Sequence, residues 1–512
     1  MKSWRSFAAT VLLLLAVVQA VAAGEGSEVR RGCRAGRMAQ SLPAAMRRAA
    51  TRSGSSASSN VYIGKRRQLV VLAAFADKAF AESQPIAFWD KVFNAPHFAE
   101  PPFSGSVRDY FYDQSYGQLL LQFDIHYVVL ADSQTKYRST DTDDENSQYL
   151  VCDIVDSLSA RGTVDWSQYD WDGDGYVDQL LIVYAGKGMN DGGGSNTIWP
   201  HQWWLSLHDG CKERTVTAGG NSYAVDCYCC VQELTGRNTY GVFGTICHEY
   251  SHCFGLPDFY YGATSYVRNW DLMDYGNNNG SGFCPPGYSA HERMFMGWLD
   301  MPELTEPTQI TGMQALSDSA QAYIIRNDAW PDEVYVVENR QQHGWDSSLP
   351  GSGIVIFHVD FDKDIWRGLT SEMVNSSKRK RYTIFAANNR STSSGQAYWA
   401  YPYQGNDSLT NTSVPSASLL RAAADGTNLM SKPITGMSVD DGGLASFRFM
   451  MPETTGIDAI YYNKVSREGG SGSAGKGEDA AGVVYSLTGQ RLLSPSRKGI
   501  YIVNGRKVLL SR

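Results

Sequence analysis

The chain has 512 residues, of which 43% are hydrophobic and 12% aromatic, with a formal net charge of -8. This composition is typical of a globular protein with a mildly acidic surface, and it argues against nucleic acid as a partner. A chain of this length exceeds the size of one hydrophobic core, so we expect two or three folded units.

Residues 1–23 have the pattern of a secretory signal peptide, in which Lys2 and Arg5 precede an apolar run and then small residues. That run is too short to span a bilayer, and we expect no transmembrane segment elsewhere. Residues 24–66 are rich in Arg, Ala, Ser and Gly. They predict a detachable pro-segment or, alternatively, a flexible leader. We therefore expect export, to the medium or to a bacterial outer surface.

Strand-like and helix-like patterns alternate from residue 67 to 301. The β-rich run RQLVVLAAFAD is followed by the helix-like segments PIAFWDKVFNA and SVRDYFYDQSYGQL, and later by the strand-like VDQLLIVYAG. This order predicts an α/β or α+β domain.

The pattern changes after residue 301. Short strand-like runs separated by Gly, Asn, Ser and Asp occupy residues 302–452 and predict a β-sandwich-like domain. Residues 453–482 end in REGGSGSAGKGEDAAG, the composition of a flexible linker. The tail, residues 483–512, has the pattern of two or three short strands.

The segment GVFGTICHEYSHCFGL, residues 241–256, predicts a largely buried helix that carries chemistry. His248 and His252 are four positions apart, so both project from one side and can bind one metal ion. Glu249 lies beside them, where it can hydrogen-bond a water held by the metal.

Gly255 can end this helix in the left-handed conformation, and Pro257 prevents its continuation. The resulting turn can return Asp258 to the metal as a third ligand, which leaves one position open for water. Glu292 on a later helix is the alternative third ligand.

A second cation site is predicted by the segment DWDGDGYVD. Asp170, Asp172 and Asp174 alternate before Gly175 as in the first half of an EF-hand loop, and Asp178 falls at the ninth position. The twelfth position is not the expected glutamate, so this is at most a calcium loop completed by other ligands. The alternative is a solvated Asp/Gly turn.

These motifs together resemble the immune inhibitor A family of secreted, metzincin-like zinc endopeptidases. The resemblance rests on HExxHxxGxxD at 248–258, on WDLMDYG at 270–276, and on the upstream segments DYFYDQSYGQL, DWDGDGYVDQ and SNTIWPHQW. It implies a metzincin-like catalytic domain at 67–301 that cleaves protein or peptide substrates.

The resemblance also implies residue roles. His248, His252 and Asp258 would bind zinc, and Glu249 would act as general base and acid. Met273 would be the methionine of the turn beneath the metal. Tyr275 occupies a position where some metzincins carry a tyrosine that touches the metal or the oxyanion, although a packed tyrosine is the alternative.

Two further predictions concern activation and export. Cys33 is the only cysteine of the predicted pro-segment, so its thiolate could occupy the open zinc position until that segment is removed; a free or oxidised thiol is the alternative. The ending GIYIVNGRKVLL resembles sorting domains of type IX secretion, which would make the secretion machinery a partner. The alternative is a small β appendage.

The sequence thus predicts a secreted zinc endopeptidase. A calcium-stabilised surface binding protein with a structural or inactive metal site is the competing hypothesis. Glu249 favours the enzyme, because a purely structural zinc has no use for a base beside an open position.

Overall fold

The computed structural model describes residues 61–139, 146–208, 210–262, 264–368, 370 and 372–451, and the backbone of short strands in the tail. The described residues up to Met450 form one compact unit, and those after it form a second. As the sequence predicts, helices and strands are mixed. The predicted signal peptide, the linker and most of the pro-segment, including Cys33, lie outside the described residues.

A mixed sheet organises the N-terminal half of the first unit, with strand order β2-β1-β4-β8-β5. All neighbours in it are parallel except β5, which pairs antiparallel with β8 at one edge. A small second sheet has the order β3-β7-β6. The strands of this half are β1 (Gly64–Ala74), β2 (Leu119–Val129), β3 (Tyr176–Val177), β4 (Leu180–Lys187), β5 (His201–Trp204), β6 (Arg214–Ala218), β7 (Asn221–Val225) and β8 (Cys227–Leu234).

Five helices of the described residues belong to this half: the first four contact strands of its sheets, and the fifth contacts the β-rich region that follows. They are α1 (Pro85–Asn94), α2 (Val107–Gln114), α3 (Ser147–Arg161), α4 (Phe243–His252) and α5 (Ala290–Phe295). The helix-like segment SVRDYFYDQSYGQL contains α2, at whose start Ser106 and Asp109 form a reciprocal capping box. Helix α5 ends before Gly297, whose φ of +76° turns the chain.

Strand β1 begins three residues before the predicted start of the catalytic domain. Its continuous apolar end is buried on both faces, which is typical of a central parallel strand. Its basic start is held by an ion pair at the edge: Arg67 Nη2 donates to Asp124 Oδ1 on β2 at 2.6 Å.

Two antiparallel sheets follow residue 301, with strand orders β10-β11-β12-β13 and β14-β15-β9. Their elements are β9 (Thr308–Met313), β10 (Ala322–Asn327), β11 (Trp330–Arg340), β12 (Gly353–Asp360), α6 (Lys363–Trp366), β13 (Tyr382–Ile384), β14 (Ile434–Val439) and β15 (Ala445–Phe449).

The four-stranded sheet of this β-rich region is buried on both faces. On β12, Val355 and Phe357 join the core cluster of the N-terminal half, whereas Ile354 and Ile356 join the cluster shared with the three-stranded sheet. Alternate residues of a strand point to opposite faces, so one strand belongs to both cores. The β-rich region is therefore packed onto the N-terminal half through a shared core.

The described part of the tail contains one sheet with the order β17-β16-β18-β19. Its strands are β16 (Val484–Tyr485), β17 (Arg491–Leu492), β18 (Gly499–Val503) and β19 (Arg506–Leu510). The prediction of two or three strands was wrong, because the run VVYSLTGQRLL divides into two short strands around its glycine-bearing segment. In the described residues, we find no helix with the length and apolarity needed to cross a membrane.

Candidate metal centre

The two predicted histidine ligands lie on the same side of α4. His248 is buried and His252 is half-buried, and their ring centroids are 4.9 Å apart. This is the arrangement expected of residues one helical turn apart. The helix packs against β8, β5 and α2, which fixes the position of both rings.

Gly255 redirects the chain after α4, as predicted. Its φ is +86°, in the left-handed region that only glycine adopts without a Cβ penalty. The turn brings Asp258 Oδ1 to 3.1 Å from His248 Nε2 and 3.4 Å from His252 Nε2. Ligands about 2.0–2.1 Å from a zinc ion in a tetrahedron are separated by about 3.3 Å, so these distances suit that geometry.

Backbone carbonyls hold the histidine rings in the orientation a metal needs. His248 Nδ1 donates to the Leu272 carbonyl at 2.8 Å, and His252 Nδ1 donates to the Leu256 carbonyl at 2.7 Å. Each Nε2 therefore presents its lone pair toward Asp258 when the ring is neutral. Such partners of the second ring nitrogen are the usual supports of metal-binding histidines.

The charge distribution of this site also suits a cation. Asp258 Oδ1 is buried and accepts no hydrogen bond of normal geometry from the described residues, although both imidazoles are within ion-pair distance. Burial lowers the pKa of His248, but the close contact with the Asp258 carboxylate and the charge of Glu249 outweigh it and raise the pKa to about 9. The site attracts positive charge, and a divalent cation binding through the same atoms would displace the proton.

Glu249 lies beside the histidines with its carboxylate buried. One oxygen of Glu249 and one nitrogen of each histidine lie within 4.8 Å of one another. Burial raises the pKa of Glu249, while the neighbouring His248 and His252 lower it. A carboxylate with a raised pKa, close to a metal position, is suited to accept a proton near neutral pH.

The turn that contains Met273 lies against both ligand segments. Met273 is fully buried, and its carbonyl accepts a hydrogen bond from the Phe259 N–H at 2.9 Å. Its own N–H donates to Asp271 Oδ1 at 2.8 Å. The Leu272 carbonyl in the same turn accepts the hydrogen bond from His248. This turn therefore contacts both His248 and Phe259, the residue that follows Asp258.

A glycine lets α4 approach the segment that follows this turn. A Cβ on Gly244 would lie 1.9 Å from the Asn277 carbonyl oxygen, far inside contact distance. Any larger residue at position 244 would force α4 and the segment around Asn277 apart.

Tyr275 packs against another tyrosine that we did not single out from the sequence. Its ring centroid lies 6.3 Å from that of Tyr260, and the Tyr260 ring in turn lies nearly parallel to the His248 imidazole at 6.5 Å. Tyr260 is two residues after Asp258, so its proximity to the site was readable from the same motif.

Glu292, the alternative third ligand, has a structural role at the start of α5. Its Oε2 accepts a hydrogen bond from the Ser289 N–H at 2.7 Å, and the Ser289 hydroxyl accepts one from the Glu292 N–H at 3.2 Å. Burial, reinforced by the nearby Asp271, raises the pKa of Glu292 well above its usual value. A protonated carboxyl group is a poor metal ligand.

The predicted calcium loop brings three of its four carboxylates together. Asp170, Asp172 and Asp174 each have an oxygen within 4.8 Å of the others. Asp170 already accepts hydrogen bonds from the N–H groups of Gly173, Asp174 and Gly175. Asp178 does not join this group, and its Oδ2 accepts the Trp171 N–H at 2.5 Å.

The eight cysteines in the described residues are all reduced. The sulfur atoms of Cys227 and Cys253 lie 3.8 Å apart, well beyond the length of a disulfide bond. The CYCC segment lies on β8 and contributes buried or half-buried thiols to the sheet.

Comparison with known proteins supports a peptidase. Residues 64–298 match the family model described as the immune inhibitor A peptidase M6 catalytic domain. The predicted resemblance is thereby confirmed for this segment.

Two kinds of curated relative match part of the chain. Immune inhibitor A of Bacillus thuringiensis subsp. alesti is 30% identical over 152 residues, 25% of this chain and 21% of the relative. The pre-pro-metalloprotease PrtV of Vibrio cholerae serotype O1 is 27% identical over 213 residues, 34% of this chain and 22% of the relative. The chain thus spans about a fifth of the length of these relatives.

Among solved structures, wild-type OgpA from Akkermansia muciniphila aligns with 54% of this chain and 72% of its own, at 10% identity and a TM-score of 0.27. This similarity is too low to assign a fold.

Proposed function

We propose that this chain is a zinc-dependent endopeptidase, because residues 64–298 match the model of the immune inhibitor A peptidase M6 catalytic domain. The observation that carries the proposal is the position of the buried Asp258 Oδ1, within 3.4 Å of both histidine Nε2 atoms. Two imidazoles and a carboxylate are the donor set of hydrolytic zinc sites with one open position.

The ligand residues and Glu249 have separate roles in the proposed reaction. His248, His252 and Asp258 would hold the ion, which when bound lowers the pKa of a water to about 7 and polarises a carbonyl oxygen. Glu249 takes a proton from the attacking water and delivers it to the leaving amine of the cleaved peptide. The buried setting of Glu249 strengthens both transfers, because little bulk water competes for the proton.

The edge strand β5 supplies a surface for the substrate backbone. Among the described strands β5 pairs with β8 alone, and it contacts α4, which carries the histidines. An extended peptide can add to such an edge through main-chain hydrogen bonds. We propose proteins outside the cell as substrates, in keeping with the predicted signal peptide, pro-segment and tail.

The finer architecture belongs to the same proposal. A mixed sheet with an antiparallel edge strand above a metal helix supports a metzincin-like catalytic domain. Two sheets with a shared core support a β-sandwich for the region after residue 301. Latency through Cys33 and sorting through the tail remain predictions from the sequence.

Metal removal tests the enzyme hypothesis. We expect 1,10-phenanthroline to abolish hydrolysis of a denatured protein substrate and added Zn²⁺ to restore it, because activity requires the ion at His248, His252 and Asp258. The isomer 1,7-phenanthroline, which cannot chelate, is the matched control. Hydrolysis that survives the chelator, with zinc content reduced to background, contradicts the proposal. Absence of hydrolysis in the zinc-loaded protein favours the surface binding alternative.

We also propose that Asp170, Asp172 and Asp174 bind calcium weakly and stiffen the domain. For a dissociation constant near 1 mM, 10 mM Ca²⁺ stabilises the folded state by about 1.4 kcal/mol. Thermal unfolding should show this stabilisation in the wild type and lose it in Asp172→Asn. The variant Asp441→Asn, the same change at another exposed aspartate, should keep it. Equal stabilisation of both variants by Ca²⁺ argues against this loop as the site.

A further inference from the structure

A tyrosine from the β-rich region contacts the residue that follows Asp258. Tyr382, the first residue of β13, is fully buried, and its ring stacks on Phe259 with a centroid distance of 3.8 Å and an interplanar angle of 18°. Asn375 joins the same two residues: its Nδ2 donates to the carbonyls of Phe259 and Tyr382, at 2.8 Å each. Residues of the β-rich region thus hold Phe259 in place, and with it the adjacent Asp258.

The hydroxyl of the same tyrosine reaches the turn that supports His248. Tyr382 Oη donates to Asp271 Oδ2 at 3.0 Å and lies 2.7 Å from Ser289 Oγ. The other oxygen of Asp271 accepts the Met273 N–H. Leu272, between these two residues, provides the carbonyl that orients His248.

The chain between α4 and Asp274 needs such external support. In its described residues, 253–262 and 264–274, the one helix or strand is the short 3-10 helix Arg268–Trp270, so a continuous helix or strand does not hold the ligands there. Tyr382 is one side chain that contacts both the Asp258 side and the Met273 side of the segment. It lies beyond residues 64–298, the part of the chain that matches the peptidase family model.

We propose that Tyr382, assisted by Asn375, is a positioning residue for the zinc ligands, and that the β-rich region is required for tight zinc binding. This inference rests on the proposed zinc site. Groups that orient the ligands of a metal typically change its affinity by about 10- to 100-fold when they are removed. The Tyr382 hydroxyl acts on His248 only indirectly, through Asp271 and the Leu272 carbonyl. We therefore expect its removal to change zinc affinity by about tenfold, the lower end of that range.

The full chain provides the test. Tyr382→Phe keeps the stacked ring and removes only the hydroxyl, so we expect zinc affinity, measured by competition with a chromogenic chelator, to fall about tenfold. The visible absorption of the Co²⁺-substituted protein should change as well, because it reports ligand geometry. Asn375→Ala is a second variant that acts on Phe259 and should also weaken zinc binding.

Tyr335→Phe is the matched control. Tyr335 is equally buried in the same region and donates its hydroxyl to the Ser418 carbonyl at 2.7 Å, within the core cluster shared with the three-stranded sheet. Removal of the Tyr335 hydroxyl should cost a hydrogen bond comparable to the one lost in Tyr382→Phe. The metal-free forms of Tyr335→Phe and Tyr382→Phe should therefore unfold at similar urea concentrations. Only the control should keep wild-type zinc affinity and the wild-type Co²⁺ spectrum.

Three results would overturn a proposal. If Tyr382→Phe and Asn375→Ala both keep the wild-type affinity and spectrum, the positioning role is wrong and the zinc site stands. If Tyr335→Phe weakens zinc binding as much as Tyr382→Phe, the effect is general destabilisation and the positioning role is again wrong. If the wild-type chain binds no zinc, the proposed function itself fails.

Discussion

Replacing Glu249 with Gln is expected to lower kcat/KM for peptide hydrolysis about a thousandfold while zinc stays bound. A positioned general base contributes about 10²- to 10⁴-fold to such reactions. Glutamine has nearly the same shape but cannot accept the proton of the attacking water. Burial disfavours the charge of the Glu249 carboxylate, as its raised pKa shows. A neutral amide in the same place should therefore not destabilise the fold.

Zinc content and hydrolysis must be measured on the same preparation of Glu249→Gln. Glu233→Gln is a control of the same chemistry: Glu233 is buried on β8, but its carboxylate accepts the N–H groups of Ala81 and Gly186. That variant should lose some stability and keep its activity within a few-fold. Wild-type activity in zinc-loaded Glu249→Gln would show that another group is the base.

Replacing Asp258 with Ala is expected to remove most of the zinc from the purified protein. The two imidazoles on α4 remain, but the proposed anionic ligand is lost. Removing a group that only orients a ligand weakens metal binding by up to about 100-fold, and removing a ligand itself should weaken zinc binding by more than that. Without the carboxylate, the pKa of His248 should also fall, because burial lowers it and Asp258 is the main opposing influence. Metal analysis after dialysis, with activity measured in parallel, checks this result.

Glu292→Gln separates the two candidates for the third ligand. Its carboxyl group forms the capping box of α5, and the amide can replace that acceptor. This variant should keep its zinc. Retention of zinc by Asp258→Ala together with its loss from Glu292→Gln would assign the ligand to Glu292.

Local features of the sequence were sufficient to find α4 and the two histidines that it presents as candidate metal ligands. The spacing of His248 and His252 is a property of one helical turn, and Gly255 determines the following turn through its own backbone freedom. Each of these signals involves residues within a few positions of one another, so no distant contact is needed to interpret them.

Signals that involve distant parts of the chain could not be read in this way. The carbonyl of Leu272 supports His248, and Tyr382 supports Asp271, across 24 and 111 positions respectively. A backbone carbonyl has no sequence signature, and a buried tyrosine in a β-rich region looks like any other core residue. The apolar runs of β11 and β12 likewise predict strands but do not reveal which elements cover their two faces.

By itself, the sequence determined which residues can bind a metal, where the helix that carries them ends, and which glutamate lies beside them, because helical periodicity and turn chemistry are local. Only the tertiary structure brought Asp258 within 3.1 Å and 3.4 Å of the two histidines. It also placed Glu292 in a helix cap and Tyr382 against the ligand segment. Those positions depend on how strands and helices far apart in the chain bury their apolar faces together, which no short stretch of sequence encodes.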